Sequence, residues 1–282
     1  MSGVFHTRAP GWEALARAAK PFRDRYGDAF GSAPEANQFF RNMVVPACGS
    51  WLFCPNGKAG STSTLHFLFH LMFGVPLTAR SQPESRMQAE NGTAHQLTNS
   101  RVFAWLALVG EGRDPVAIFD SALRLSTVRD PFARAVSGFL YLCHAQEVAA
   151  PRFLEVRQRL CAMTRFDWNR HPGTQDGFLR YLDHLEAELA HHDSLPVDSH
   201  FRPQVLNLRP GIVRPHLVGR CEDLPAFFRE IAARLDRPLP EGIDLDARHN
   251  RQPDAGRAAL DTPATRARVT RIFAADYEAF GY

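Results

Sequence analysis

Short apolar runs alternate with longer helical stretches along this chain. Gly49 to Phe53 (Gly-Ser-Trp-Leu-Phe) and Leu123 to Val128 (Leu-Arg-Leu-Ser-Thr-Val) have the length and make-up of strands, and Val213 to Arg220 offers a third. Thr64 to Phe73 is apolar nearly all round, with the leucine and methionine content of a buried helix. Gly177 to His192 is apolar on one face only. It predicts an amphipathic helix whose polar cluster, Asp183, His184, Glu186, Glu188, His191, His192 and Asp193, forms a solvated face. Residues 144–200 predict two or three helices inserted between the third and fourth sheet elements. The alternation predicts an α/β fold: three layers, P-loop-like, with a central parallel sheet of about five strands and helical insertions. Residues 1–40, with helical character from Trp12 to Phe22, form an N-terminal helical and irregular segment, and 41–282 form the main domain. There is no internal repeat and no low-complexity tract.

Composition narrows the class without naming it. At 282 residues, 45% hydrophobic and 22% charged, the chain can bury one large core. A net charge of +3 favours anionic ligands but is far from the basicity of a dedicated nucleic-acid binder. The five cysteines, Cys48, Cys54, Cys143, Cys161 and Cys221, have no C-x-x-C spacing and sit mostly in apolar runs, which predicts reduced, buried thiols and a reducing compartment. The N-terminus lacks the succession of a signal peptide. The best apolar stretch, Leu65 to Leu77, contains His66 and His70 and is shorter than the ~20 residues of a spanning helix. The expected location is cytoplasmic, with no transmembrane segment.

Two segments carry chemistry. Lys58 is one of two lysines among 33 basic residues, so its position selects for a lysine. It stands in Cys54-Pro55-Asn56-Gly57-Lys58-Ala59-Gly60-Ser61-Thr62-Ser63, between the first strand and the apolar helix. Backbone N–H groups, hydroxyls, an ammonium and a helix start gathered there suit a phosphate or sulfate group. The loop is not a Walker A loop: its glycines lack the four-residue spacer, and Ala59 follows the lysine where a hydroxyl residue is needed.

The second segment follows the strand at 123–128. In Arg129-Asp130-Pro131-Phe132-Ala133-Arg134-Ala135-Val136-Ser137, Asp130 and Pro131 predict an N-cap and first helical residue. Arg129 then lies at the strand's carboxyl end and Ser137 about two turns along the helix. Arg134 and Ser137 share a face, although Arg134 also suits a surface ion pair. In a parallel sheet Arg129 and Lys58 project over one edge, which implies a ligand with two separated phosphate-like groups.

Together, Lys-Ala-Gly-Ser-Thr-Ser at 58–63 and Val-Arg-Asp-Pro-Phe-Ala-Arg-Ala-Val-Ser at 128–137 resemble the 5′-phosphosulfate and 3′-phosphate loops of sulfotransferases that use 3′-phosphoadenosine 5′-phosphosulfate (PAPS). The closer likeness is to the carbohydrate branch (chondroitin, HNK-1 and uronyl 2-O types, with bacterial relatives). His200-Phe201-Arg202-Pro203-Gln204, Val218-Gly219-Arg220-Cys221-Glu222-Asp223-Leu224 and the closing Ile272 to Tyr282 fit that branch, so the resemblance spans about residues 48–282. It implies that Lys58 binds the bridging region of the phosphosulfate and steadies the leaving phosphate. Ala59, Gly60, Ser61, Thr62 and Ser63 would cradle the 5′ end, Arg129 and Ser137 would hold the 3′-phosphate, and Arg251, near Arg248, His249 and Asn250, would add to that site. PAPS would be the donor, PAP the product, a carbohydrate or small-molecule hydroxyl the acceptor, and no metal would be required.

Transfer to a hydroxyl needs a general base. His95, with Glu90 second, is the candidate, from the polar stretch Ser81 to Arg101. In relatives with a histidine base that residue lies nearer the strand-end arginine, where this chain has Trp105-Leu106-Ala107-Leu108. His66 and His70 have i, i+4 spacing but no third ligand, so packed core histidines are expected. His200 and Arg202 border the cleft by resemblance, and Glu222 suits either the cleft or a cap for the helix from Pro225. Two other functions stay open: a P-loop-like small-molecule kinase, disfavoured by the missing Walker A loop, and a non-catalytic module binding a nucleotide or sulfated glycan, which has no need of Lys58.

Overall fold

The computed structural model describes residues 20–79, 90–106, 113–191, 197–247 and 256–282. Residues 20–26 are helical (α1), followed by α2 (Ala33–Arg41), β1 (Val44–Pro46), β2 (Trp51–Cys54) and α3 (Ser61–Phe73). After a 3-10 segment at Glu90–Gln96 come β3 (Phe103–Trp105), α4 (Pro115–Ser121), β4 (Leu123–Val128) and α5 (Pro131–Glu147). The helices α6 (Leu154–Thr164) and α7 (Gln175–Ala190) lead to the short α8 (Gln204–Leu208) and α9 (Pro210–Val213). The chain closes with β5 (Leu217–Arg220), α10 (Leu224–Arg234), α11 (Arg257–Leu260), α12 (Pro263–Ile272) and α13 (Ala274–Phe280).

One five-stranded sheet in the order β3-β1-β2-β4-β5 organises these elements. β2, β4 and β5 run parallel, with Cys54 opposite Ser126 and Val128 opposite Arg220. The expected all-parallel sheet is corrected at one place: β1 runs antiparallel to both β2 and β3. Only four residues, 47–50, separate β1 from β2, too few for a parallel crossover, so the chain must reverse directly.

β2 is apolar throughout because both of its faces are covered. Trp51 and Phe53 join Leu68, Leu125 and Phe228 under α3 and α10, where the Phe67 and Phe228 rings stack with centroids 4.2 Å apart. Leu52 and Cys54 face the opposite layer, which holds Phe22 and Phe40 stacked at 4.3 Å. A separate helical core, including Phe139, Phe178, Tyr181 and Val269, binds α5, α7 and α12.

Several expected boundaries move. The helix expected from Thr64 starts at Ser61, because Gly60 turns the chain at φ +85° and its carbonyl accepts from Thr64 N at 3.0 Å. Ser61, Thr62 and Ser63 are thus first-turn residues of α3. The strand expected from Val213 begins at Leu217, since Pro210–Val213 winds into α9. α7 matches the amphipathic stretch, but His184 is fully buried, so the polar cluster is no uniform solvated face. Its pKa is lowered, first by burial, with Arg159 adding to this and Glu188, whose Oε2 lies 3.4 Å from Nε2, opposing it. All five cysteines are free thiols, but Cys48 is exposed and only Cys54 is fully buried.

Candidate active site

The Lys58 loop leaves β2 and re-enters the fold as α3. Asn56, fully buried, anchors it: its Nδ2 donates to Thr127 O at 3.0 Å and to Gln204 Oε1 at 2.9 Å. Asn56 N donates to Ser61 Oγ at 3.0 Å, and that hydroxyl donates back to Asn56 O at 2.8 Å, closing the loop on the first turn of α3. The loop then bends through two left-handed residues. Lys58 adopts φ +64°, a conformation that costs a non-glycine residue roughly 1–2 kcal/mol and concentrates at functional sites. Gly60 adopts φ +85°, and a Cβ there would lie 3.2 Å from Leu224 Cδ1.

α3 starts without the side-chain cap that Asp130 gives α5 or Thr174 gives α7. Its positive end therefore opens on the same volume as the Lys58 loop. Lys58 is half-buried, with Nζ 2.9 Å from the centroid of the Tyr141 ring on α5. Burial, followed by the charges of Arg152, Arg129 and Arg134, holds its pKa well below the usual lysine value, with Asp198 opposing. An incoming anion relieves that crowding of positive charge.

The Arg129 loop lies directly alongside. The expected N-cap is present, with Asp130 Oδ1 accepting from Ala133 N at 2.7 Å and Pro131 as the first helical residue. Arg129 Nη1 donates to Lys58 O at 3.3 Å, which places the two loops side by side over the carboxyl ends of β2 and β4. Gln204 fastens them from below. Its Oε1 accepts from Arg129 N at 3.0 Å and from Asn56 Nδ2, while its Nε2 donates to Arg129 O at 2.9 Å. Asp276 in turn accepts from Gln204 N at 2.8 Å and Val205 N at 2.9 Å, so the closing segment of the chain holds α8 in place.

Arg134 is buried, correcting the surface ion-pair reading. Nε donates to Gly57 O at 2.8 Å, Nη1 to Arg202 O at 2.8 Å and Nη2 to Ser199 O at 2.9 Å. Three carbonyls replace most of its hydration; burial still lowers its pKa to about 10. Ser137, one turn further along α5, is buried as well.

His95 lies at the mouth of this cleft, with Nε2 3.1 Å from Thr62 Oγ1 in the first turn of α3. Its crowded surroundings, then the positive charges of His200, Arg152 and Lys58, push its pKa down to about 4. Opposite stands His200, whose Nδ1 lies 2.6 Å from Asp198 Oδ1 and whose Nε2 lies 3.2 Å from Arg152 Nη2. The His200 ring stacks on Tyr141 with centroids 6.0 Å apart. Burial draws the His200 pKa down more than Asp198 raises it. Burial raises that of Asp198, but the hydrogen bonds and charge of His200 outweigh it, and the carboxylate stays below its ordinary range.

The remaining sequence candidates fall elsewhere. Glu222 does not cap α10; Asp223 does, accepting from Ala226 N at 3.3 Å. Glu222 instead accepts from Asp130 N and from Tyr282 Oη, both at 3.0 Å, tying the Arg129 loop to the last residue of the chain. His70 is buried in α3 and His66 half-buried. Among the described residues no cluster of three or more His, Cys, Asp or Glu could hold a metal ion. Arg251, with Arg248, His249 and Asn250, lies outside the described residues, as does the side chain of Glu90. Tyr141, Arg152 and Asp198 were not singled out from the sequence, because their only signal is their distance from Lys58 in space.

A lysine loop and an arginine loop on adjacent parallel strands, with a helix N-terminus beside them, bring basic side chains together at a sheet's carboxyl edge. The family model described as the sulfotransferase family matches residues 41–282, and the chain belongs to that family. No curated protein and no solved structure matches it. Among the described residues, no helix is long and apolar enough to cross a membrane.

Proposed function

We propose that this sulfotransferase takes its sulfuryl group from PAPS and transfers it to a hydroxyl of a carbohydrate acceptor, releasing PAP. The observation that carries the reading is the direct junction of the two loops, Arg129 Nη1 on Lys58 O, with Gln204 bonded to both. Two cationic sockets locked side by side suit one ligand with anionic groups at two ends. Lys58, Ala59 and Gly60 of the loop with Ser61, Thr62 and Ser63 of the first turn of α3 would hold the phosphosulfate, and Arg129 with Ser137 the 3′-phosphate.

Sulfuryl transfer passes through a loose transition state like that of phosphoryl transfer, so positioning and electrostatics supply most of the rate. The rigid loops position; the ammonium of Lys58 offsets charge gathering on the departing phosphate. Tyr141, whose ring face meets Nζ, keeps that ammonium over the cleft. A carbohydrate acceptor follows from the likeness of the two loops to the carbohydrate branch.

Thermal shifts with adenosine 3′,5′-bisphosphate and with Mg-ATP test the donor. Stabilisation by the bisphosphate is expected, and stabilisation by Mg-ATP alone would transfer the assignment to a kinase. Lys58→Ala should abolish transfer from labelled PAPS without lowering the melting temperature.

A further inference from the structure

Building on the sulfuryl-transfer reading, we infer that His200 is the catalytic residue that takes the acceptor's proton, and that Asp198 is its positioning residue. His200 stands where the two loops meet: a Cβ on Gly57 would lie 3.0 Å from His200 Cα. Tyr141 joins it to Lys58, stacking on the imidazole while its ring face meets Nζ. The tautomer follows from the partners. Asp198 also accepts from His200 N at 2.8 Å, and an ionised carboxylate only accepts, so Nδ1 carries the hydrogen. Nε2 then presents a lone pair, and the group facing it is a donor, Arg152 Nη2.

The side chain retains 22% of its surface. Arg152 is exposed and occupies the place on Nε2 that the hydroxyl would take. His95 is less suited. The charged groups acting on it, His200, Arg152 and Lys58, are all basic. An imidazolium formed on His95 would face positive neighbours, whereas one formed on His200 lies against Asp198.

The step balances as follows. The acceptor O–H gives its proton to Nε2 as its oxygen forms the new S–O bond. The S–O bond to the bridging phosphate oxygen breaks, and its electron pair leaves with adenosine 3′,5′-bisphosphate, opposite the Lys58 ammonium.

Histidine-labelled protein examined by nitrogen-15 NMR near pH 7 should show His200 protonated on Nδ1 alone. A signal for the Nε2–H tautomer would overturn the assignment. Single-turnover transfer from labelled PAPS would be followed with desulfated chondroitin and unsulfated heparosan oligosaccharides, and with water as the baseline acceptor. His200→Asn should slow transfer about 100-fold or more while bisphosphate affinity stays within about threefold. The charged and titratable groups around the ring are Asp198, Arg152, Lys58, His95 and Tyr141. Asp198→Asn should move the acid limb of the rate profile to lower pH and Arg152→Ala to higher pH, shifts that a purely structural role would not produce. Retention of more than about a tenth of the rate by His200→Asn, or a comparable loss confined to His95→Asn, would overturn the base assignment. Failure of the unaltered protein to bind the bisphosphate would instead strike the donor reading.

Discussion

Replacing Arg134 by methionine removes a side chain that, together with Asn207, ties the Lys58 loop to the 199–202 segment. The guanidinium spends three donors on Gly57 O, Arg202 O and Ser199 O, at 2.8, 2.8 and 2.9 Å. A hydrogen bond from a charged donor contributes roughly 1.5–3 kcal/mol net, and three would sum to well above 4 kcal/mol. Removing the charge also removes its desolvation cost, which the lowered pKa attests and which amounts to a few kcal/mol. Methionine fills part of the volume but leaves three carbonyls without that donor. The balance is a loss of about 3–5 kcal/mol, or a fall in melting temperature on the order of 8–15 °C for a chain of this size. Differential scanning calorimetry with and without adenosine 3′,5′-bisphosphate measures it. Because the loop it releases is the proposed donor loop, the stabilisation given by the bisphosphate should shrink as well. A drop of less than about 1 kcal/mol, with ligand stabilisation intact, would refute the claim that this network sets the loop's geometry.

Gly57→Ala puts a Cβ 2.8 Å from Ser199 O, a backbone atom that cannot step aside, so donor KM should rise several-fold with little change in far-UV circular dichroism; an unchanged KM would show that the loop tolerates displacement. Lys58 has a lowered pKa in the free protein, and an anion beside it raises that pKa, so bisphosphate binding should take up protons at some pH between the lowered value and the ordinary lysine range. Calorimetry in two buffers of different ionisation enthalpy reads this directly, and zero uptake, or uptake persisting in Lys58→Met, would contradict it. His184 is buried with a lowered pKa, so the stability it contributes is present above the ordinary histidine range and is lost as pH falls toward its folded value. Unfolding free energy should therefore fall between pH 7 and pH 5, by at most ~1.4 kcal/mol per pH unit from this group, and His184→Phe should flatten the slope; an identical slope would assign the effect elsewhere.

What the sequence disclosed was the local chemistry. The strand at Leu123–Val128 and the Asp130-Pro131 helix start are found as expected because an apolar run and an Asx-Pro cap act within a few residues. The side-by-side placement of Lys58 and Arg129 followed from parallel-sheet geometry. Longer-range facts were not legible. β1 and β3 are three residues each and exist only through pairing with each other and with β2, so no run marks them. Gln204 is the fastener between the loops, yet a glutamine after a proline announces only a turn. Glu222 and Asp223 are neighbours with opposite fates, since the shorter side chain reaches Ala226 N while the longer one extends to Asp130 and Tyr282.

The claim beneath all of this is that Arg129 and Lys58 hold the two ends of one nucleotide. The most direct test is calorimetric titration of the unaltered protein and of Arg129→Ala with adenosine 3′,5′-bisphosphate and with adenosine 5′-monophosphate. The account predicts that the unaltered protein prefers the bisphosphate by about 10-fold or more, the worth of a charge-assisted contact to the 3′-phosphate, and that Arg129→Ala loses that preference. An equal preference in both proteins would contradict it.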